Sequence, residues 1–190
     1  TLYLNGIKGM ACIIVFIMHF IITFYPAVFN GPVFSAHLPG SIDAMITQTP
    51  LMSLINGRIM VGVFMVISGM ILTLQVMKCT DRKRLAQIVT KRYFRFTLVL
   101  FFFCLFVFIL RSCGLFLAEE LVEITDSRGT KGIYSQELSF LDVFTHAFYL
   151  IPFKKDTTFS TAFWCIRDMI VGSFISILCG MAAHNSRKRI

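Results

Sequence analysis

Apolar residues gather in four long runs, separated by stretches in which polar residues cluster. A membrane-spanning helix needs about 20 mostly apolar residues. Four segments meet that requirement: Ile7–Tyr25, closed by Pro26; Ile59–Met77; Phe96–Leu117, with Arg111 late in it; and Thr161–Ala183, with Arg167 and Asp168 in its first third. Such apolar density predicts helices, because backbone in lipid must satisfy its hydrogen bonds within its own segment. A fifth stretch, Ser139–Phe153, is too short and too polar to cross, with Asp142, His146 and Pro152 inside it. Its Phe140, Leu141, Phe144, Ala147, Phe148 and Ile151 fall on one stripe at three-and-four spacing. That pattern predicts an amphipathic helix lying in an interface. The expected fold is all-α: a polytopic transmembrane helical bundle of four spanning helices plus one interfacial amphipathic helix, in one membrane domain over residues 1–190.

Charge orients these elements, since cytoplasmic loops concentrate Lys and Arg. The Lys78–Arg95 loop holds Lys78, Arg82, Lys83, Arg84, Lys91, Arg92 and Arg95 against one acid, Asp81, and so is expected in the cytoplasm. The tail Arg187-Lys188-Arg189 is expected there too, as is the N-terminus. Pro26–Gly57 has no Lys or Arg and is assigned outside, with the acid-rich stretch between Glu119 and Asp156. Two cytoplasmic segments need an even number of spans between them. The third and fourth spans supply that number, so Ser139–Phe153 lies at the outer interface. Asp126–Gly132 is a polar turn.

Composition removes other classes. Hydrophobic residues make up 56% of the 190 residues and charged ones only 15%, whereas a soluble domain carries about 25% charge. The net charge of +8 follows the membrane topology, so no nucleic-acid partner is expected. The six cysteines form no C-x-x-C and no zinc-type spacing with histidine, so neither a disulfide framework nor a metal site is expected. The chain starts at Thr1 and stops just after a basic cluster, which reads as a piece cut from a longer protein.

Ionisable side chains inside spans are costly and are functional candidates. His19 lies twelve residues into the first span, deep in the apolar run, and imidazole is the side chain best suited to act as a base near neutral pH. Lys8 lies eleven residues before it, three helical turns away on the same face and about 16 Å distant. Ser68, within Gly62-Val63-Phe64-Met65-Val66-Ile67-Ser68-Gly69, offers a hydroxyl at mid-membrane beside glycines that permit close helix approach. Arg92 and Arg95 project together, three residues apart, at the cytoplasmic mouth of the third span, and paired guanidiniums suit phosphates. Arg167 and Asp168 follow Trp164 in the fourth span and point about 100° apart, towards different partners. Gly172, Ser173, Ser176 and Gly180 form a small-residue packing face, and His37, His146 and His184 are given no role.

In order, these motifs resemble acyltransferase family 3 of integral membrane proteins. Leu4-Asn5-Gly6-Ile7-Lys8-Gly9-Met10-Ala11 is similar to that family's opening L-D-G-L-R-G-x-A, and Lys8-x10-His19 to its R-x10-H. Val63 to Met70 resembles V-F-F-x-x-S-G-F/Y, Arg92-Tyr93-Phe94-Arg95 resembles R-x-x-R, and Trp164 to Met169 resembles W-F-x-R-D-L. Arg gives way to Lys at position 8. The family has about ten spans, so the resemblance implies its N-terminal part, not expected to be active alone. It also implies a membrane acyltransferase that uses cytoplasmic acyl-CoA, commonly acetyl-CoA, and no metal. The acceptor would be a hydroxyl of an extracytoplasmic glycan or lipid at a bacterial inner membrane. His19 and Lys8 would be catalytic, Arg92 and Arg95 would hold the donor, and Ser68, Arg167 and Asp168 would line the cavity. The alternative is a permease that binds a polar solute at His19 and Arg167/Asp168.

Overall fold

The computed structural model describes residues 2–31, 37–47, 49–50, 55–79, 81–125 and 137–187. Among the described residues the regular elements are all helical, in the order α1 (Leu2–Phe24), α2 (Ala27–Asn30), a 3-10 turn (Pro39–Ser41), α3 (Ile42–Ile46), α4 (Gly57–Met77), α5 (Arg82–Ser112), α6 (Ala118–Thr125), α7 (Phe140–Thr145), a π-helical segment (His146–Lys154), a second 3-10 turn (Thr161–Cys165) and α8 (Ile166–Arg187). Four of them are long and apolar enough to cross a membrane: Tyr3–Phe24, Gly57–Met77, Arg82–Ser112 and Thr161–Ala183. These are the four spans expected from the apolar runs, and residues 139–153 add no fifth. The polar turn expected at 126–132 lies outside the described residues, as do Lys188 and Arg189 of the basic tail.

The third helix differs most from expectation. It begins at Arg82, so the basic stretch 78–95 is mostly helix and only 78–81 connects it to α4. Asp81 caps it: its extended backbone leads in, and its side chain accepts from the Lys83 N–H at 3.0 Å. Leu85, Ile88 and Val89 recur at helical spacing among the charges. They pack on a core of Leu72, Val76 and Ile177, which explains why the charged turns stay helical. The helix stops at Ser112 rather than near Leu117, because Gly114 takes a left-handed φ of 67° just beyond it.

Contacts divide the chain into two compact units. The first holds residues 1–64 and 114–137. There Gly57 stands against α1, where an added Cβ would come within 2.5 Å of the Met18 sulfur. The Thr47 hydroxyl donates to the Ala27 and Val28 carbonyls, at 2.9 and 3.0 Å, and ties α3 to α2. Asp43 is fully buried. Its carboxylate accepts from the backbone N–H of His37 at 2.7 Å and of Ala44 at 3.1 Å, while the His37 ring meets the Thr125 carbonyl at 2.9 Å. Burial alone would push the Asp43 carboxyl up, but the backbone N–H donors of His37, Ala44 and Leu38 outweigh it and hold it below the usual range.

The second unit, residues 65–113 and 138–190, carries the second half of α4 with α5, α7, the π segment and α8. In α7 a capping box joins Ser139 and Asp142. From there the chain runs back along α5: Phe140 meets Phe108, Phe144 and Phe148 both meet Phe101, and Phe153 meets Tyr93. The Tyr93 hydroxyl donates to the Phe148 carbonyl at 2.7 Å. The amphipathic segment thus lies lengthwise beside α5, over about 22 Å of helix, and not crosswise at one end of it as an outer-interface helix would; its aromatic stripe finds the Phe and Tyr rings of α5 as its apolar partner. Lys155 turns the chain with a left-handed φ of 61°, and Phe163 then meets Phe103.

Two predictions follow from this packing. A Cβ at Gly180 would lie 2.9 Å from Val76 side-chain atoms and 3.1 Å from the Thr73 carbonyl, whereas one at Gly62 meets nothing within 4 Å. In detergent thermal melts, Gly180→Ala should destabilise by about 1–3 kcal/mol through overpacking, while Gly62→Ala should be neutral or stabilise by up to about 1 kcal/mol. Asp43, held low when folded, contributes stability above the ordinary aspartate range, about pH 4, that is lost as pH falls through it. Protection of the His37 and Ala44 amides against hydrogen exchange, taken relative to the intrinsic rate at each pH, should therefore fall under acid, and Asp43→Asn should lower it already at neutral pH.

Candidate active site

A cavity of about 340 Å³ opens in the second unit between α4, α5 and α8. Small residues make room for it. Gly69 and Gly172 add no side chain where they line its α4 and α8 walls, and the Ser176 hydroxyl turns back onto the Gly172 carbonyl at 2.8 Å. Met65, Val66, Met70 and Met169 give it apolar sides, and methionine adapts readily to irregular ligands. Its polar groups are Ser68, Ser173, Ser176 and Arg92. Ser68 and Ser173 are buried.

Arg92 is the cation of the cavity. Its Nε donates to the Ser173 Oγ at 3.1 Å, and that hydroxyl donates in turn to the Met169 carbonyl at 2.7 Å. The guanidinium also stacks over the Phe96 ring, 5.0 Å from its centroid, an attraction of about 0.5–2 kcal/mol. The side chain is thereby held on two sides, while Ser173 occupies only Nε. Among the described residues neither Nη group has a recorded hydrogen bond, and a guanidinium so placed is suited to anionic oxygens.

The other candidate residues divide between the units. Lys8 and His19 belong to the first. Both are half-buried on the inner stripe of α1, with the buried Ala11 and Met18. The unbroken helix keeps them three turns apart on that face, and the His19 carbonyl also accepts from the Thr23 hydroxyl at 2.8 Å. The cavity unites Ser68 with Arg92 but does not include Arg95, Arg167 or Asp168. Arg95 and Arg167 are exposed. Asp168 pairs with Lys155 at 3.4 Å, both about 45% exposed, a contact worth at most about 1 kcal/mol.

Two features escaped the sequence. Ser173 is a ligand of Arg92 as well as part of a packing face; its small-residue spacing was visible, but its partner on α5 was not. His146 is buried, with its Nδ1 2.9 Å from the Asp156 carboxylate. Ten residues of π helix and turn separate that pair, a spacing with no helical period. Among the described residues, no group of three or more His, Cys, Asp or Glu side chains is placed to hold a metal ion.

Four membrane-length helices define an integral membrane protein, and its second unit holds a cavity edged by an anchored arginine. A family model described as an acyltransferase domain matches residues 1–178. The chain belongs to acyltransferase family 3, and it is an enzyme that transfers acyl groups. No curated protein and no solved structure matches it. Membership in an acyltransferase family disfavours the permease alternative.

Removal of the Ser173 hydroxyl tests the anchoring. Ser173→Ala should leave the fold intact but loosen Arg92, weakening anionic-ligand binding by roughly 1.5–3 kcal/mol. Tryptophan fluorescence or calorimetric titration would read this, and unchanged binding would mean that the Arg92–Ser173 bond orders nothing.

Proposed function

We propose that the protein moves an acyl group, in the simplest case acetyl, from cytoplasmic acyl-CoA to a hydroxyl of an extracytoplasmic glycan or lipid. The setting is a bacterial inner membrane with the N-terminus and the connection between α4 and α5 in the cytoplasm, as the Lys and Arg distribution favours. O-acetylation of cell-envelope material is the corresponding role. The observation that carries this reading is the anchored Arg92 beside a Met-lined cavity, an arrangement suited to an anionic donor with an apolar arm.

Arg92 binds donor phosphate oxygens through its Nη groups, and Arg95 adds positive potential from the exposed side. The acyl arm extends among Met65, Met70 and Met169. His19 accepts the proton of the acceptor hydroxyl as its oxygen attacks the thioester carbonyl. A C–O bond forms, the C–S bond breaks, and CoA leaves as its thiol after gaining a proton. Lys8, three turns nearer the cytoplasmic end of α1, contributes positive charge towards the donor. Ser68 supplies a hydroxyl to the cavity wall, while Arg167 and Asp168 serve the outer approach.

In the full-length protein, His19→Ala should lower acyl transfer by about 10²–10⁴-fold, the usual contribution of a side-chain base, while acyl-CoA binding persists. Arg92→Ala should weaken donor binding by roughly 1.5–3 kcal/mol, seen first in the apparent KM. Arg95→Ala should cost less, because its side chain lies off the cavity. Transfer at the unsubstituted rate by His19→Ala would remove His19 from the mechanism. Equal KM effects at the two arginines would remove the distinction between them.

A further inference from the structure

Three helices of the second unit are out of step with one another. The spans on α4 and α8 run over Gly57–Met77 and Thr161–Ala183, so their middles fall near Ile67 and Gly172. Arg92 stands level with those middles: its Nε donates to the Ser173 hydroxyl, and it lines one cavity with Ser68, Gly69 and Gly172. The last third of each span carries the core of Leu72, Val76 and Ile177, and there Leu85, Ile88 and Val89 of α5 pack. The turns of α5 from Arg82 to Lys91 therefore run beside the C-terminal halves of α4 and α8. Yet the uncharged stretch of α5, between Arg95 and Arg111, has its own middle at Phe103, eleven residues beyond Arg92 and about 16 Å along the axis. A flat slab of hydrocarbon cannot be centred on both.

The exposed faces differ accordingly. In their C-terminal halves α4 and α8 present apolar side chains: Met70, Leu74, Ile175 and Leu178 are 44–60% exposed, as suits lipid. Beside them α5 presents Lys83, Arg84, Gln87, Thr90 and Lys91, all exposed, on the side away from Leu85, Ile88 and Val89. Steps of three, four and seven residues place these five on one face. The nearest acid in the chain, Asp81, is engaged in capping the helix. Beyond Arg95 the same face turns apolar, with Leu98 and Phe102 exposed. A charged helix face is expensive against hydrocarbon. Polar surface at membrane depth persists where protein covers it or where it lines a water-filled cavity.

We propose that this face of α5 is one wall of a water-filled crevice, running from the α4–α5 connection to the level of Arg92 and admitting small water-soluble anions. The crevice stands on the register of three helices and not on the identity of the acyl donor. It removes the mismatch, because water in place of lipid lets α5 keep its basic turns beside two apolar spans. Lys83, Arg84 and Lys91 give the wall one sign of charge, and a cleft lined by one sign concentrates ions of the other. An anion that enters comes to the depth of Arg92 without crossing hydrocarbon.

Cysteine accessibility tests this in the full-length protein, in sealed native membrane vesicles of both orientations. Lys83→Cys, in the first turn of α5, reports which orientation exposes the α4–α5 connection. In that orientation two impermeant methanethiosulfonates, the anion MTSES and the cation MTSET, should both modify Gln87→Cys and Thr90→Cys, read at the introduced residue by peptide mass spectrometry. Corrected for their rates with a free thiol in solution, MTSES should be faster by about ten-fold or more, and added salt should shrink the difference. Leu74→Cys and Leu178→Cys, on the apolar faces of α4 and α8, should resist both reagents. All five substitutions fall on exposed side chains, so the fold should bear them. If Gln87→Cys and Thr90→Cys resist as Leu178→Cys does, lipid or another part of the protein covers the face and there is no crevice. Equal reaction at all four positions would remove the depth assigned to these turns of α5, and faster modification by MTSET would remove the preference for anions. Either result overturns the proposal.

Discussion

The approach of α4 to α8 governs the second unit, and it is set where side chains are missing. Gly180 lets the backbone of α8 come up against Val76 and the Thr73 carbonyl, and Gly69 faces the Ser176 hydroxyl. The Thr73 hydroxyl then donates to the Ser176 carbonyl at 3.1 Å, a bond that forms only at this spacing. Lipid gives helices little reason to associate through apolar area alone, so small residues and interhelical hydrogen bonds do most of that work. Close contact towards the Gly180 end and glycine walls at 69 and 172 leave a void between. Without both, the Met-lined cavity would be filled by side chains, and Arg92 would have no space to enter.

Arg92 illustrates how the protein makes a half-buried cation tolerable beside an apolar cavity. Burying an unpaired charge is expensive, yet this guanidinium has a hydroxyl on one nitrogen and an aromatic face beneath it. Neither partner neutralises it, so its charge remains available to a ligand. Asp168 and Lys155 take the opposite course: they cancel one another and stay half-exposed. That contrast separates a charge held without a counter-ion from a pair that neutralises itself.

Much of the fold was legible because the spans announce themselves by length and apolar density. The ends were less so. Charge hid the first turns of α5, whose Leu85, Ile88 and Val89 stay helical only because three other side chains wait for them. The left-handed Gly114 that ends α5 looks, in the chain, like any other glycine. Of the site, Ser68 and Arg92 were found from their motifs and do share a cavity. Arg95, three residues from Arg92, was expected beside it. A pair at that spacing diverges once one member turns inward, and the sequence carries no mark of which one does. His146 and Asp156 were invisible because their meeting depends on the turn at Lys155 and not on any repeat.

The uncharged stretch of α5 between Arg95 and Arg111 is short: 15 residues, which as helix reach about 22 Å. The hydrocarbon core of an ordinary bilayer is about 30 Å thick. A helix with polar ends this close together either draws its long arginine side chains outward or pulls the two leaflets inward around itself. Local thinning would shorten the distance between the two aqueous faces beside this helix. In that sense α5 is the element through which a change in bilayer thickness would first be felt by the protein.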